Sequence, residues 1–226
     1  MAIQSISKPI RWGLFAFLLI VAGTACSLGS FFVKEQSLPG SILFRDDFSD
    51  PASGWTHAQT GLGIADYKQG YYRIATGTAY RAIWATPHLS FSDVQIDVTA
   101  TKFSGTNDNE FGVICRYVDA ANFYAFYISS DGYYGIGKTV DGKQSLIGMD
   151  VMLMSDAIRK GNDTNHIRVE CAGDRLVLSV NGKPVFETSD STFREGDVGL
   201  IAGSFSQPDV DIFFDDFIVR KSEVHK

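Results

Sequence analysis

The chain has 226 residues, with 20 basic and 26 acidic side chains and a formal net charge of -6. An acidic surface repels phosphate backbones, which argues against nucleic acid as a partner. Its 22 glycines, 17 Phe, 9 Tyr and 3 Trp, with few helical periods, suit many short strands joined by tight turns.

The N-terminus sets the compartment. Lys8 and Arg11 precede an uncharged run from Trp12 to Ala25, which suits the core of a signal peptide. Gly23-Thr24-Ala25 then leads into Cys26 and Ser27. Small residues before a cysteine resemble a bacterial lipobox, in which that cysteine is lipidated and becomes the mature N-terminus; Gly23 stands where Leu is usual. Two other readings stay open. Cleavage near Ala25 gives a soluble exported protein, and the charge-free stretch from Trp12 to Val33 gives an uncleaved helical anchor, since roughly 20 apolar residues span a bilayer. Lys8 and Arg11 would then stay inside. All three put the remainder outside the cytoplasm, and two anchor it to the membrane of a bacterial cell envelope. The expected organisation is a signal or anchor segment at 1–25, a tether at 26–40 and one domain at 41–221. Losing residues 1–25 removes Lys8, Arg11 and no acid, leaving 18 basic and 26 acidic residues, about -8 in net charge.

Hairpin signals follow along the domain. Lys68-Gln69-Gly70 separates Gly63–Tyr67 from Tyr71–Ala75. Asp131-Gly132 joins Asn122–Ile128 to Tyr133–Lys138, and Asp141-Gly142 precedes Gln144–Ile147. Gly173-Asp174 and Asn181-Gly182 bracket Arg175–Val180. Asp-Gly and Asn-Gly between β-rich runs favour type I′ turns, whose central residues need positive φ. The one helical candidate is Asp150–Lys160, ended by Gly161-Asn162. Roughly twelve to fourteen antiparallel strands close best as two stacked sheets, an all-β jelly-roll sandwich.

Cys115 and Cys171 each lie in a strand-like run. In an oxidising compartment they are expected to form a disulfide; the alternative is two buried free thiols. Strict alternation puts Arg116 with Ile114 and Val118 on an accessible face, and Phe111, Val113, Cys115 and Tyr117 on the other.

The two ends of the domain read alike, as Leu43-Phe-Arg-Asp-Asp-Phe48 and Ile212-Phe-Phe-Asp-Asp-Phe217. With Phe48-Ser-Asp50, Gly54-Trp55 and Gly112-Val-Ile-Cys-Arg-Tyr117, these resemble concanavalin A-like sandwich domains, nearest to the 3-keto-disaccharide hydrolase and exo-inulinase C-terminal type. The likeness covers about residues 41–220. It implies that the first and last strands lie together, and it is weak for function because one sandwich hosts many tasks.

Sandwich glycanases carry Glu-x-Asp-x-x-Glu, which sets two or three carboxylates on one strand face. Glu195-Gly-Asp197-Val-Gly-Leu200 has Leu in the last place. No Gly-x-Ser-x-Gly, His-Glu-x-x-His or Gly-x-Gly-x-x-Gly occurs, and His57, His88, His166 and His225 are scattered. If the ends pair, Asp47, Asp50, Asp215 and Asp216 become candidate ligands for a structural calcium ion, which takes six to eight oxygens. The competing reading makes them turn residues with local Asx hydrogen bonds. Alternation puts Asp46 and Asp47 on opposite faces. Arg116, Tyr117, Tyr124 and Trp84 are the candidate saccharide contacts, since rings stack on sugar C–H patches while Arg binds hydroxyls; aromatics also fill sandwich cores. The favoured function is a non-catalytic, surface-anchored module binding carbohydrate or another extracellular ligand. A glycoside-processing hydrolase of the 3-keto-disaccharide type and a structural envelope protein with a protein partner are the alternatives.

Overall fold

The computed structural model describes residues 37–223. The segment 1–25, Cys26 and most of the tether lie outside the described residues. Among the described residues no helix is long and apolar enough to cross a membrane.

Sixteen strands form two antiparallel sheets, somewhat more than the turn signals suggest. The nine-stranded sheet runs β14 (Lys183–Ser189), β13 (Arg175–Val180), β12 (Thr164–Ala172), β6 (Val94–Ser104), β16 (Val210–Lys221), β4 (Tyr71–Thr76), β3 (Gly63–Lys68) and β2 (Ala58–Thr60). Within it β1 (Ile42–Asp46) also pairs with β16. The seven-stranded sheet runs β10 (Lys143–Leu146), β9 (Tyr133–Val140), β8 (Asn122–Ile128), β7 (Asn109–Asp119), β15 (Asp197–Ser204) and β5 (Arg81–Ala85), with β11 (Leu153–Met154) on β9. The turns behave as their residues require: Asp141 and Gly142, like Asn181 and Gly182, all have positive φ.

The first and last strands do lie together. Asp46 sits opposite Phe217 and Arg45 opposite Ile218. β16 pairs with β4 through Phe214 and with β1 from Phe217 onward, so Asp215-Asp216 marks the change of partner. Two Phe three residues apart would face opposite sides of a regular strand. A bulge at Asp216, with φ of 52°, resets the phase and turns both Phe214 and Phe217 into the core. Phe217 packs edge-on against Trp55 at 4.9 Å, and Phe48 lies 5.3 Å from the same indole. Buried Asp46 organises this cluster by accepting from Trp55 Nε1 (2.9 Å), Phe48 N (2.8 Å) and Ser53 Oγ. The paired Phe-Asp-Asp-Phe motifs are thus a core-building device.

Cys115 on β7 and Cys171 on β12 form a disulfide that joins the two sheets through the core, with Cα atoms 6.9 Å apart. No helix forms at Asp150–Lys160. Leu153 and Met154 instead pair with Tyr134 and Tyr133 on the edge of β9, and Ile158 and Ala157 pack on the core. The open sheet edge gives this segment interstrand hydrogen bonds, and its apolar residues need no helical stripe to be buried.

Candidate ligand-binding face

Each strand of the seven-stranded sheet divides its residues between two environments. On β7, Phe111, Val113 and Cys115 enter the main core, while Glu110, Gly112 and Ile114 alternate outward. On β8, Tyr124, Phe126 and Ile128 go inward. Phe123, Ala125 and Tyr127 join Ile114 and Ile201 in a second apolar cluster on the outer face, with Trp84, Ala82 and Tyr117 packed against it. A row of rings results: Tyr117 to Phe123 is 5.7 Å and Phe123 to Trp84 is 5.6 Å between centroids. Tyr117 and Trp84 are both partly exposed.

Two hollows share Trp84. The larger, 720 Å³, is lined by Thr56, Trp84, Thr86, His88, Tyr117, Glu195 and Asp197 among others. The smaller, 380 Å³, is lined by Tyr80, Arg81, Trp84, Glu110, Phe123, Tyr127 and Gln144 among others. In the larger one Asp197 is buried, and burial raises its carboxyl against the opposing pull of hydrogen bonds from the backbone of Val198, Leu89 and His88 and from Thr86. Its Oδ1 accepts from Val198 N at 2.8 Å. In the smaller one burial alone pushes Glu110 up to about 7, with no hydrogen bond or opposite charge to offset it. Tyr127 is pushed up as well, chiefly by burial, and its hydroxyl accepts from Gln144 Nε2 at 2.9 Å. Ring faces flanked by carboxyl, amide and hydroxyl groups suit an uncharged, hydroxyl-bearing ligand with apolar patches.

Of the four candidate contacts, Trp84 and Tyr117 come together on this face; Arg116 and Tyr124 do not. Strict alternation fails here in both directions: Arg116 does not face outward, and Tyr117 lies on the outer face rather than with Cys115. A bulge between Cys115 and Asp119 breaks the alternation, and Arg116, with φ of 50°, turns inward to 1% exposure. Its guanidinium donates to the carbonyls of Gly173 (2.8 Å), Phe193 (2.9 Å) and Ser92 (3.2 Å) and to Asp93 Oδ1 (3.2 Å). Its donors are therefore spent on binding three loops together. Tyr124 is fully buried, packs on Phe193 and donates its hydroxyl to Asp190 at 2.6 Å. Burial raises Asp190, but hydrogen bonds from Lys138, Thr192 and Tyr124 outweigh it and hold the carboxyl well below its usual range.

The acids at the paired ends are occupied locally. Asp47 accepts from Ser49 Oγ at 2.6 Å, Asp50 from Ala52 N at 2.9 Å, and Asp215 from Asp216 N at 2.7 Å. Asp216 lies 3.9 Å from Arg45. Asp46 is buried and Asp47 exposed, as alternation requires. Among the described residues no group of three or more His, Cys, Asp or Glu side chains is placed to hold a metal ion.

Sequence reasoning missed Glu110, His88 and Gln144 as parts of this face. Glu110 had a readable signal: it is the acid that opens the apolar run Phe111-Gly-Val-Ile-Cys115, in phase with Ile114. His88 and Gln144 had none.

No family model matches the chain. It is similar to an extracellular exo-alpha-L-arabinofuranosidase of Streptomyces chartreusis, 28% identical over 153 residues, which are 67% of this chain and 18% of the relative. The match thus spans less than a fifth of that enzyme's length. Among solved structures, carbohydrate binding module CBM66 from Bacillus subtilis superposes with a TM-score of 0.51 at 22% identity, covering 74% of this chain and 95% of the module. A Bacillus subtilis protein with a galectin-like fold gives 0.58 at 13% identity, covering 82% of this chain and 98% of that one. These likenesses establish the fold: an all-β, galectin-like jelly-roll sandwich.

Proposed function

We propose that the domain is an extracytoplasmic carbohydrate-binding module that holds saccharide on the outer face of its seven-stranded sheet. The observation that carries this reading is the row Tyr117–Phe123–Trp84, which floors two hollows edged by carboxyl and amide groups. The binding module among the fold neighbours and the glycosidase relative support the same substrate class. Export on the N-terminal segment, with Cys26 as lipid anchor, would hold the module at the cell surface. A hydrolase reading has one observation in its favour, that Glu195 and Asp197 line the larger hollow together.

A glycan array run beside a hydrolysis screen tests both. Saccharide binding without turnover, lost in Trp84→Ala and Tyr117→Ala, is the expected result. Turnover abolished by Glu195→Gln or Asp197→Asn would replace the binding reading with the hydrolase. Binding to no glycan would reject both and leave an envelope protein with a protein partner.

A further inference from the structure

We infer that the Glu110 hollow is a second sugar subsite, so that the face takes an oligosaccharide, with Glu110 receiving the hydroxyls of the second unit. The inference rests on the binding reading above and goes further by fixing chain length and the recognising group. Three observations carry it. The two hollows share one wall, Trp84, whose ring lies 5.6 Å from Phe123, so apolar surface is continuous from one to the other. The second hollow, at 380 Å³, has room for a further sugar unit beside that wall. Glu110 stands in it half-buried, with no hydrogen bond from another side chain, and burial displaces it from the ordinary carboxyl range. Partial desolvation of a carboxylate costs stability, and a polar ligand can take up the hydrogen-bonding capacity that no side chain uses.

The surroundings agree. Gln144 is fixed by its bond to Tyr127, so that hydroxyl keeps a proton to donate. Glu110 lies on β7 opposite Gly203 of β15, which offers no side chain to compete for the carboxyl. The titratable and charged groups sharing the hollow are Tyr80 and Arg81 from the β5 side and Tyr127 from β8. Sugar hydroxyls donating to the carboxylate favour its charged form. Binding of the longer ligand therefore strengthens from pH 5 to pH 8, while binding of a single sugar does not.

The test is calorimetry of the exported protein with the mono- and trisaccharides of arabinose, xylose, galactose and fructose at pH 5 and pH 8. In the series that binds, the trisaccharide is expected to bind more tightly than the monosaccharide. Glu110→Gln is expected to cost the trisaccharide roughly tenfold at pH 8, the scale of one charged hydrogen bond, and to remove the pH dependence of its binding. Trp84→Ala is expected to weaken both. If Glu110→Gln leaves trisaccharide affinity and its pH dependence untouched while Trp84→Ala abolishes binding, the second subsite is wrong and the binding face stands. If no series binds, both readings fall.

Discussion

Replacing Glu110 by Gln is expected to stabilise the free domain above neutral pH and to do little below pH 4.5. The carboxyl lies at about 7 in the folded protein against an ordinary 4.5. Between those two values the folded state holds a proton that the unfolded chain has released, so stability falls as pH rises through this window and is flat above it. At about 1.4 kcal/mol per tenfold, the full cost of the buried charge is about 3 kcal/mol, reduced by whatever water reaches the partly exposed side chain. Glutamine keeps the shape and cannot ionise. Urea unfolding of wild type and Glu110→Gln at pH 4, 6 and 8 should show a gap opening from near zero to about 2–3 kcal/mol in favour of the variant. For a domain of this size that is roughly 5–10 °C in melting temperature. A gap that stays constant across the three pH values would refute the reasoning, because a packing effect has no such window. A more stable Glu110→Gln also means that lost trisaccharide binding cannot come from unfolding.

The other expectations concern structure that the ligand never touches. Cys115→Ala with Cys171→Ala opens a loop of 56 residues, and the chain-entropy model gives a loss of about 4 kcal/mol, read as an earlier denaturant midpoint that reductant no longer shifts. Arg116→Met removes a buried cation whose bonds hold three loops, leaving the carbonyls of Gly173 and Phe193 without donors; a loss of roughly 3 kcal/mol is expected in urea unfolding, and an unchanged midpoint would show the loops to be held otherwise. Asp190→Asn acts in acid. A depressed folded pKa gives stability present above the ordinary value of 3.8 and lost as pH falls below it, so melting curves of variant and wild type should converge toward pH 2. Asp46→Ala strips the partner from Trp55 Nε1 and Phe48 N and should cost roughly 2–4 kcal/mol, with a change in tryptophan fluorescence.

Much of the fold is legible in residues that admit only one local conformation. Asn181-Gly182 and Asp141-Gly142 have positive φ at both positions, as those dipeptides favour, and they fix two hairpins. On β8 strict alternation holds, with Tyr124, Phe126 and Ile128 in the core and Phe123, Ala125 and Tyr127 on the outer face. It fails on β7 beyond Cys115, because a bulge has no signature when its inserted residue is an arginine in place of a glycine, and one such residue turns Arg116 from the surface into the core. The segment 150–160 is misread for a related reason. Its apolar spacing fits a helix in isolation, and only the free edge of β9 makes extended pairing the better solution. The binding face is half legible. Trp84 and Tyr117 stand out by ring type, whereas Glu110 gains its meaning from desolvation, which depends on neighbours brought in by other strands.

The pairing of β1 with β16 has a consequence for how the protein is made. Gly40 N donates to Lys221 O and Lys221 N to Ser41 O, each at 2.9 Å, so the strand that enters the domain first is completed by the strand that enters last. A chain threaded across a membrane from its N-terminus cannot close this sheet until nearly all of it has crossed. Until then Phe44, Phe48 and Trp55 wait without Phe217, which packs on Phe44 and Trp55. Such late, long-range closure is intrinsically slow and exposes apolar strands in the interval. In a chain exported on its N-terminal segment, as proposed above, this delay would keep the chain pliable during transport and defer closure of the sheet to the far side.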